Sequence, residues 1–150
     1  MEDMKIALVC SQGGHVTEML FLMEAFKDHE YFFITYNDPN VKQLKYKKFL
    51  LDDVGFNPCK MMILSIRIFK ILQKEKPDVI ISTGAEIAIP CFFQAKIMGI
   101  KTIYIESWCR VKSKSKTGRI LYYFSDIFLV QWPELLKRYG KKAVYEGAVI

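Results

Sequence analysis

The sequence predicts an α/β domain, an open parallel sheet with helices on both faces. Three observations lead there. Short apolar, β-rich runs recur along the chain at "KIALVC", "YFFIT", "DVIIST", "KTIYIE", "DIFLV" and "AVYEGAVI". These runs are continuous instead of alternating, as in strands buried on both faces of a parallel sheet. Helical patterns lie between them, and strand–helix–strand alternation of this kind closes with right-handed crossovers. The 150 residues show no internal repeat, low-complexity tract or linker, which predicts one domain over 1–150. A chain of that length buries about two-thirds of its unfolded surface without staples.

The elements follow in order. "KIALVC" is the first strand and "SQGGH" the turn that leaves it. Val16, Met19, Leu20 and Met23 then repeat with the i, i+3, i+4, i+7 spacing of an amphipathic helix, and Phe26 extends the stripe. "YFFIT" is the second strand. Residues 37–58 read equally as a short helix, a strand or a mobile loop. Residues 61–76 form an apolar helix with interspersed bases that Pro77 ends. "DVIIST" precedes a helix over 87–98, with Pro90 in its first turn and Gly99 as its stop. "KTIYIE" runs into the basic stretch "ESWCRVKSKSKTGR". "DIFLV", a short helix over 135–139 closed by Gly140, and "AVYEGAVI" complete the chain.

Composition excludes several classes. The four cysteines are scattered with no Cys-x-x-Cys pair, and His15 and His29 complete no ligand spacing, so reduced thiols and no metal site are expected. His29, at the far end of the first helix, is expected at the surface. No leader with a cleavage site is present, so secretion is not expected. The longest weakly charged stretch, "ILYYFSDIFLVQW", carries Asp126 and falls short of the roughly 18 apolar residues of a membrane span. A soluble or peripheral protein is the expectation. The net charge of +6 suits anionic lipid, nucleic acid or a phosphorylated substrate. Nucleic acid fits worst, because the bases are not interleaved with an aromatic platform.

Ligands of such sheets bind beyond the carboxyl ends of the strands, and three segments meet there. In "SQGGH", Ser11 to His15, Gly13 and Gly14 permit a tight turn and bring bare N–H groups to an anion. The same pair equally serves a turn that only packs helix on sheet. Neither the dinucleotide fingerprint nor the P-loop is completed, which argues against a dehydrogenase domain. His15 stands at the ligand face, where an imidazole can accept a proton near neutrality; the structural alternative is a cap or turn contact. In "STGAE", Thr83 and Gly84 can hydrogen-bond a sugar or phosphate, and Glu86 is either a cleft residue or a first-turn acid favoured by the helix dipole. In the third segment, Glu106 and Ser107 follow the strand, and Arg110, Lys112, Lys114, Lys116 and Arg119 occur without an acid among them. That suits a diphosphate, and it also suits a solvated face. Trp108 beside it can bury itself, stack on a ligand or lie at a membrane interface, with burial the favoured reading.

Together "SQGGHVTEM", "DVIISTGAEIAIP", "KTIYIESWCRV", "DIFLVQWPEL" and "YEGAVI" resemble the Alg14-type, membrane-associated, acceptor-binding subunit of two-subunit N-acetylglucosaminyltransferases, with counterparts in capsule and exopolysaccharide synthesis. The resemblance implies a Rossmann-like N-terminal half of a GT-B glycosyltransferase. An Alg13-like partner then holds the UDP-sugar, and this chain, which stops where the first half hands over, presents a polyprenyl-diphosphate-linked sugar acceptor. No cofactor is implied. Carried onto this chain, His15 is the candidate base and Glu106 the second catalytic candidate. Ser11, Gly13, Gly14, Thr83, Gly84, Glu86, Ser107 and Arg110 are the substrate-binding set, with Glu106 and Arg110 holding the acceptor's polar head. A non-catalytic scaffold that enhances a separately competent transferase stays open as the alternative. Eukaryotic members carry an N-terminal membrane anchor, whereas this chain begins just before its first strand. Peripheral attachment at the cytoplasmic face is expected instead, through Lys42, Lys45, Lys47, Lys48, Phe49 and Leu50 or through the helix over 61–76, which reads equally as an ordinary solvated helix.

Overall fold

In the computed structural model, which describes residues 3–149, β1 (Lys5–Val9), β2 (Glu30–Tyr36), β3 (Lys48–Leu51), β4 (Val79–Ser82), β5 (Lys101–Ile105), β6 (Ile127–Val130) and β7 (Ala143–Tyr145) form one sheet. Its order is β3-β2-β1-β4-β5-β6-β7, and every neighbouring pair is parallel. The chain builds outward from β1 in one direction, then returns to β4 and builds in the other. The carboxyl ends of β1 and β4 therefore flank the point where winding reverses, the place where open α/β sheets hold ligands.

The helices are α1 (Gly14–Phe21), followed by a 3₁₀ turn (Met23–Phe26), α2 (Pro39–Lys42), α3 (Pro58–Glu75), α4 (Ala88–Met98), α5 (Lys116–Phe124) and α6 (Glu134–Tyr139). Alternation along the strands sorts the core into two layers. Ala7, Val9, Ile80, Tyr104 and Phe128 pack beneath Leu64, Ile68, Phe92, Leu121 and Leu135 of α3 to α6. Ile6, Leu8, Phe33 and Ile81 pack beneath Val16, Met19 and Phe26 of α1 and its 3₁₀ turn. That second face is covered only in part: on β6 and β7, Ile127 and Val144 are 47% and 40% exposed.

Several boundaries differ from expectation for local reasons. α3 begins at Pro58 because the Asn57 side chain accepts from the Lys60 N–H and proline suits the first helical position. The open stretch 37–58 holds both α2 and β3. Helix α5 was not expected; Ser115 caps it by accepting from the Gly118 N–H at 2.8 Å, a signal hidden within the lysine run. The final strand stops at Tyr145, and Ile150 lies outside the described residues. His29 lies at the surface, partly covered, its Nδ1 accepting from the Met4 N–H at 3.4 Å. Trp108 is 37% exposed rather than buried.

The expected lysine-rich attachment patch is also corrected. Lys47 is bound to Glu75 at 2.7 Å, Lys48 donates to the Leu44 carbonyl, and Phe49 packs edge-on against Phe32. Lys42, Lys45 and Lys47 of that group are exposed, Lys47 with its ammonium held by Glu75.

Candidate functional site

A cleft of about 450 Å³ opens at the carboxyl ends of β1, β4 and β5. Its first wall is the turn into α1. Gly13 adopts φ 78°, a left-handed conformation that glycine takes without penalty. No side chain caps α1 and its first turn holds no acid, so its leading N–H groups are available to an anion.

His15 follows at once, on the first turn of α1. Its Nδ1 lies 2.9 Å from the Thr83 carbonyl oxygen, and Thr83 Oγ1 donates back to the His15 carbonyl at 2.7 Å. A carbonyl oxygen only accepts, so Nδ1 carries the proton, and Nε2 of the neutral ring keeps a lone pair. The ring rests against the backbone of Gly84: a Cβ there would lie 2.7 Å from His15 Cε1. Thr83 and Gly84 therefore act by seating His15; Thr83 is fully buried and its hydroxyl is already used. Ala85, next in the turn, also has positive φ (73°). Glu86 lines the cleft and accepts from the Tyr36 hydroxyl at 2.9 Å; burial, then this carboxylate, pushes the Tyr36 phenol far above its ordinary range.

The opposite wall is the segment after β5. Ser107 and Arg110 line the cleft, with Ser115, Lys116 and Thr117 from the start of α5. Glu106 itself is fully buried, its carboxylate accepting from the Ser107 and Ser115 N–H groups and from the hydroxyls of Ser115, Tyr104 and Tyr139. These bonds tie the backbone after β5 to Ser115 and Tyr139. Gly118 makes room for this hub, since a Cβ there would overlap the Glu106 carboxylate and the Tyr139 hydroxyl.

Of the ten sequence-predicted site residues, Ser11, Gly14, His15, Glu86, Ser107 and Arg110 line the cleft. Thr83, Gly84 and Glu106 are buried behind it, and Gly13 is exposed in the turn beside it. The expected basic loop divides: Arg110 and Lys116 face the cleft, while Lys112, Lys114 and Arg119 line a different pocket. Sequence reasoning missed Glu18, which sits on α1 with 3% exposure and ties the two walls together. It accepts from Ser107 Oγ at 2.9 Å, from the Trp108 N–H at 3.3 Å and from Gln131 Nε2 at 3.0 Å. Gln131 also donates to the Glu106 carbonyl and accepts from the Val149 N–H.

The profile of the family described as "Oligosaccharide biosynthesis protein Alg14 like" matches residues 52–149. The chain belongs to the Alg14 family. A relative from Schizosaccharomyces pombe, named UDP-N-acetylglucosamine transferase subunit alg14, is 33% identical over 167 residues, covering 91% of this chain and 79% of the relative. The Homo sapiens protein of the same name is 29% identical, covering 99% of this chain and 84% of its own length. Among solved structures, this Alg14-family chain superposes on Acinetobacter baumannii MurG with a TM-score of 0.75 at 15% identity, covering 87% of this chain and 42% of MurG. The match to UDP-N-acetylglucosamine 2-epimerase from Rickettsia bellii has a TM-score of 0.79 at 15% identity, covering 99% and 46%. The fold is thus Rossmann-like, and this chain spans less than half the length of those neighbours.

Proposed function

We infer that this chain is the acceptor-binding subunit of a two-subunit, inverting UDP-N-acetylglucosamine transferase that acts on a polyprenyl-diphosphate-linked acceptor. One observation carries the reading: the Thr83 carbonyl takes the Nδ1–H of His15, a cleft-lining residue, which in the neutral ring puts the free lone pair on Nε2. In the proposed step the acceptor hydroxyl attacks the anomeric carbon, the bond from that carbon to UDP breaks, and the hydroxyl proton passes to Nε2. Arg110, Lys116 and the uncapped N–H groups of α1 suit the phosphates on either side. The step requires no resident metal or cofactor.

An Alg13-like partner supplies the UDP-sugar. Its docking has support in the partly covered face of the sheet, where Ile127 and Val144 are exposed and Ile103 and Leu129 are only half-buried. Attachment as a peripheral protein at the cytoplasmic face has support in the outer surface of α3 and α4. Met62, Ile63, Ile66, Phe93 and Ile97 are each more than half exposed there, amid Arg67, Lys70 and Lys96. Among the described residues no helix is long and apolar enough to cross a membrane.

The test is a transfer assay with the partner, UDP-N-acetylglucosamine and a polyprenyl-diphosphate-linked acceptor. The complex should transfer and neither subunit should do so alone. A partner fully active by itself would reduce this chain to a scaffold.

A further inference from the structure

A second concentration of cations lies outside the cleft. Lys112 and Lys114 from the loop, Arg119 from α5 and Arg138 from α6 converge on a pocket of about 540 Å³ that Tyr122 and Tyr123 also line. It shares no lining residue with the cleft, and the Glu106–Ser115–Tyr139 hub stands between them. No Asp or Glu lines it, and among the described residues none of its four cations is in an ion pair. Lys114 Nζ instead sits 5.0 Å from the centroid of the Tyr139 ring. Glu134 lies with Lys112 and Arg138 in the adjoining pocket but forms an ion pair with neither; four like charges gathered with no carboxylate among them repel one another, and a phosphate offsets that repulsion. Two guanidinium forks also match phosphate oxygens in paired geometry.

The rim of the pocket indicates what carries the phosphate. Tyr123 is 76% exposed, and Ile120, one turn earlier on α5, is 39% exposed. Phe124 packs against Phe93 of α4 at 5.8 Å between ring centroids, and Phe93 and Ile97 are 54% and 69% exposed. A free phosphate needs only the cations; an anionic lipid uses the cations for its headgroup and the apolar ridge for its chains.

We propose that the pocket between α5 and α6 binds the phosphate headgroup of an anionic membrane lipid, with Ile120, Tyr123, Phe93 and Ile97 in the acyl boundary beside it. The proposal rests on the peripheral-membrane reading above and adds to it a headgroup site distinct from the acceptor cleft.

The test is co-sedimentation of the purified chain with phosphatidylcholine vesicles, with and without phosphatidic acid. Arg119→Gln/Arg138→Gln should weaken binding to the phosphatidic-acid vesicles about thirtyfold, the effect of two interfacial bases. Lys42→Gln/Lys45→Gln, an equal charge change at the opposite edge of the sheet, should leave binding near wild type. Phe93→Ser/Ile97→Ser should weaken it as well. Equal losses in the two charge variants would reduce the pocket to a share of a general field and overturn the proposal. Unchanged vesicle binding by Phe93→Ser/Ile97→Ser, with inorganic diphosphate bound as tightly as vesicles in calorimetry, would make this a soluble-phosphate site and also overturn it. Transfer by the complex to a water-soluble, short-chain acceptor separates the two readings. Arg119→Gln/Arg138→Gln should keep wild-type turnover there, and a loss would assign the pocket to the acceptor instead. If no form transfers sugar, the transferase reading fails while the sedimentation result still decides this one.

Discussion

His15 and Thr83 hold each other through two hydrogen bonds, ring Nδ1 to carbonyl at 2.9 Å and hydroxyl to carbonyl at 2.7 Å. The first ties a side chain on α1 to the backbone after β4; the second ties the α1 backbone to a side chain after β4. Ring position and tautomer are thereby set across the point where the sheet reverses its winding, before any substrate arrives.

Removing the ring tests its proposed role. His15→Ala should lower kcat/KM of the assembled transferase by about 10²–10⁴-fold, the usual contribution of a positioned base. Folding should survive, because His15 is only half-buried. His15→Gln keeps a donor for the Thr83 carbonyl yet supplies no base, so it should fold like wild type and transfer like His15→Ala. Steady-state kinetics with thermal melts check both; wild-type transfer by either variant contradicts the base role.

Gly84 and Gly13 offer a paired experiment on backbone strain against contact. Both have positive φ, 130° and 78°, but a Cβ on Gly13 meets nothing within 4 Å, whereas one on Gly84 meets His15. Gly13→Ala should cost about 1 kcal/mol of stability from strain. Gly84→Ala should add loss of transfer comparable to His15→Ala, because the imidazole must leave its seat. Comparing the two in melts and kinetics separates the effects.

Much of this fold was legible because its strands announce themselves. "KIALV" and "VIIS" are apolar throughout, as central parallel strands buried on both faces must be, and the turns after them fall at the ligand end by topology alone. The rest depended on partners remote in sequence. A glutamate between Thr17 and Met19 reads as solvated, and nothing local shows that Glu18 meets Ser107 and Gln131. Glu106 likewise reads as a cleft carboxylate until Tyr139 and Ser115 are folded onto it. Helix α5 was hidden because its cap sits inside "KSKSK", where charge obscured the i, i+3, i+4 pattern of Thr117, Ile120 and Leu121.

The burial of Glu106 yields its own prediction. Tyr139→Phe removes a hydroxyl donor to a buried carboxylate and should cost about 1–3 kcal/mol. Gly118→Ala should cost more, because its Cβ has no space. If Glu106 acts by positioning, Glu106→Gln should lower Tm and raise the KM for acceptor more than it lowers kcat. A large fall in kcat with Tm unchanged would point to direct chemistry.

Glu18→Ala should loosen the Ser107–Trp108 backbone without touching His15. Three donors, from Ser107, Trp108 and Gln131, lose their acceptor at a site of 3% exposure, so a loss of about 1–3 kcal/mol is expected. Hydrogen exchange should accelerate at residues 107–109 while the amides of β1 and β4 remain protected. Uniform acceleration across the sheet would show a global effect instead.

At the other end of the sheet, Glu75 provides a pH-dependent term separate from the cleft. Its carboxylate, 4% exposed, accepts from Lys47 at 2.7 Å and Lys5 at 2.8 Å, and these ammonium groups hold its pKa below the usual 4.5. Lys5 is raised above its usual 10.5 in return, by Glu75 first and Glu30 second. A carboxyl depressed in the folded state contributes stability that is present above its unfolded pKa and lost as pH falls through the folded one. A raised ammonium contributes below its unfolded pKa and loses that contribution as pH rises through the folded one. The cluster is therefore fully stabilising between about pH 4.5 and 10.5. Glu75→Gln should cost about 1–2 kcal/mol at neutral pH, toward the lower end of charged hydrogen bonds because Lys47 is half-exposed. The difference from wild type should shrink as acid protonates Glu75, while transfer per folded complex stays unchanged. Denaturant midpoints measured from neutral pH into acid decide the point: a gap between the two proteins that does not narrow would place the stabilisation in packing rather than charge.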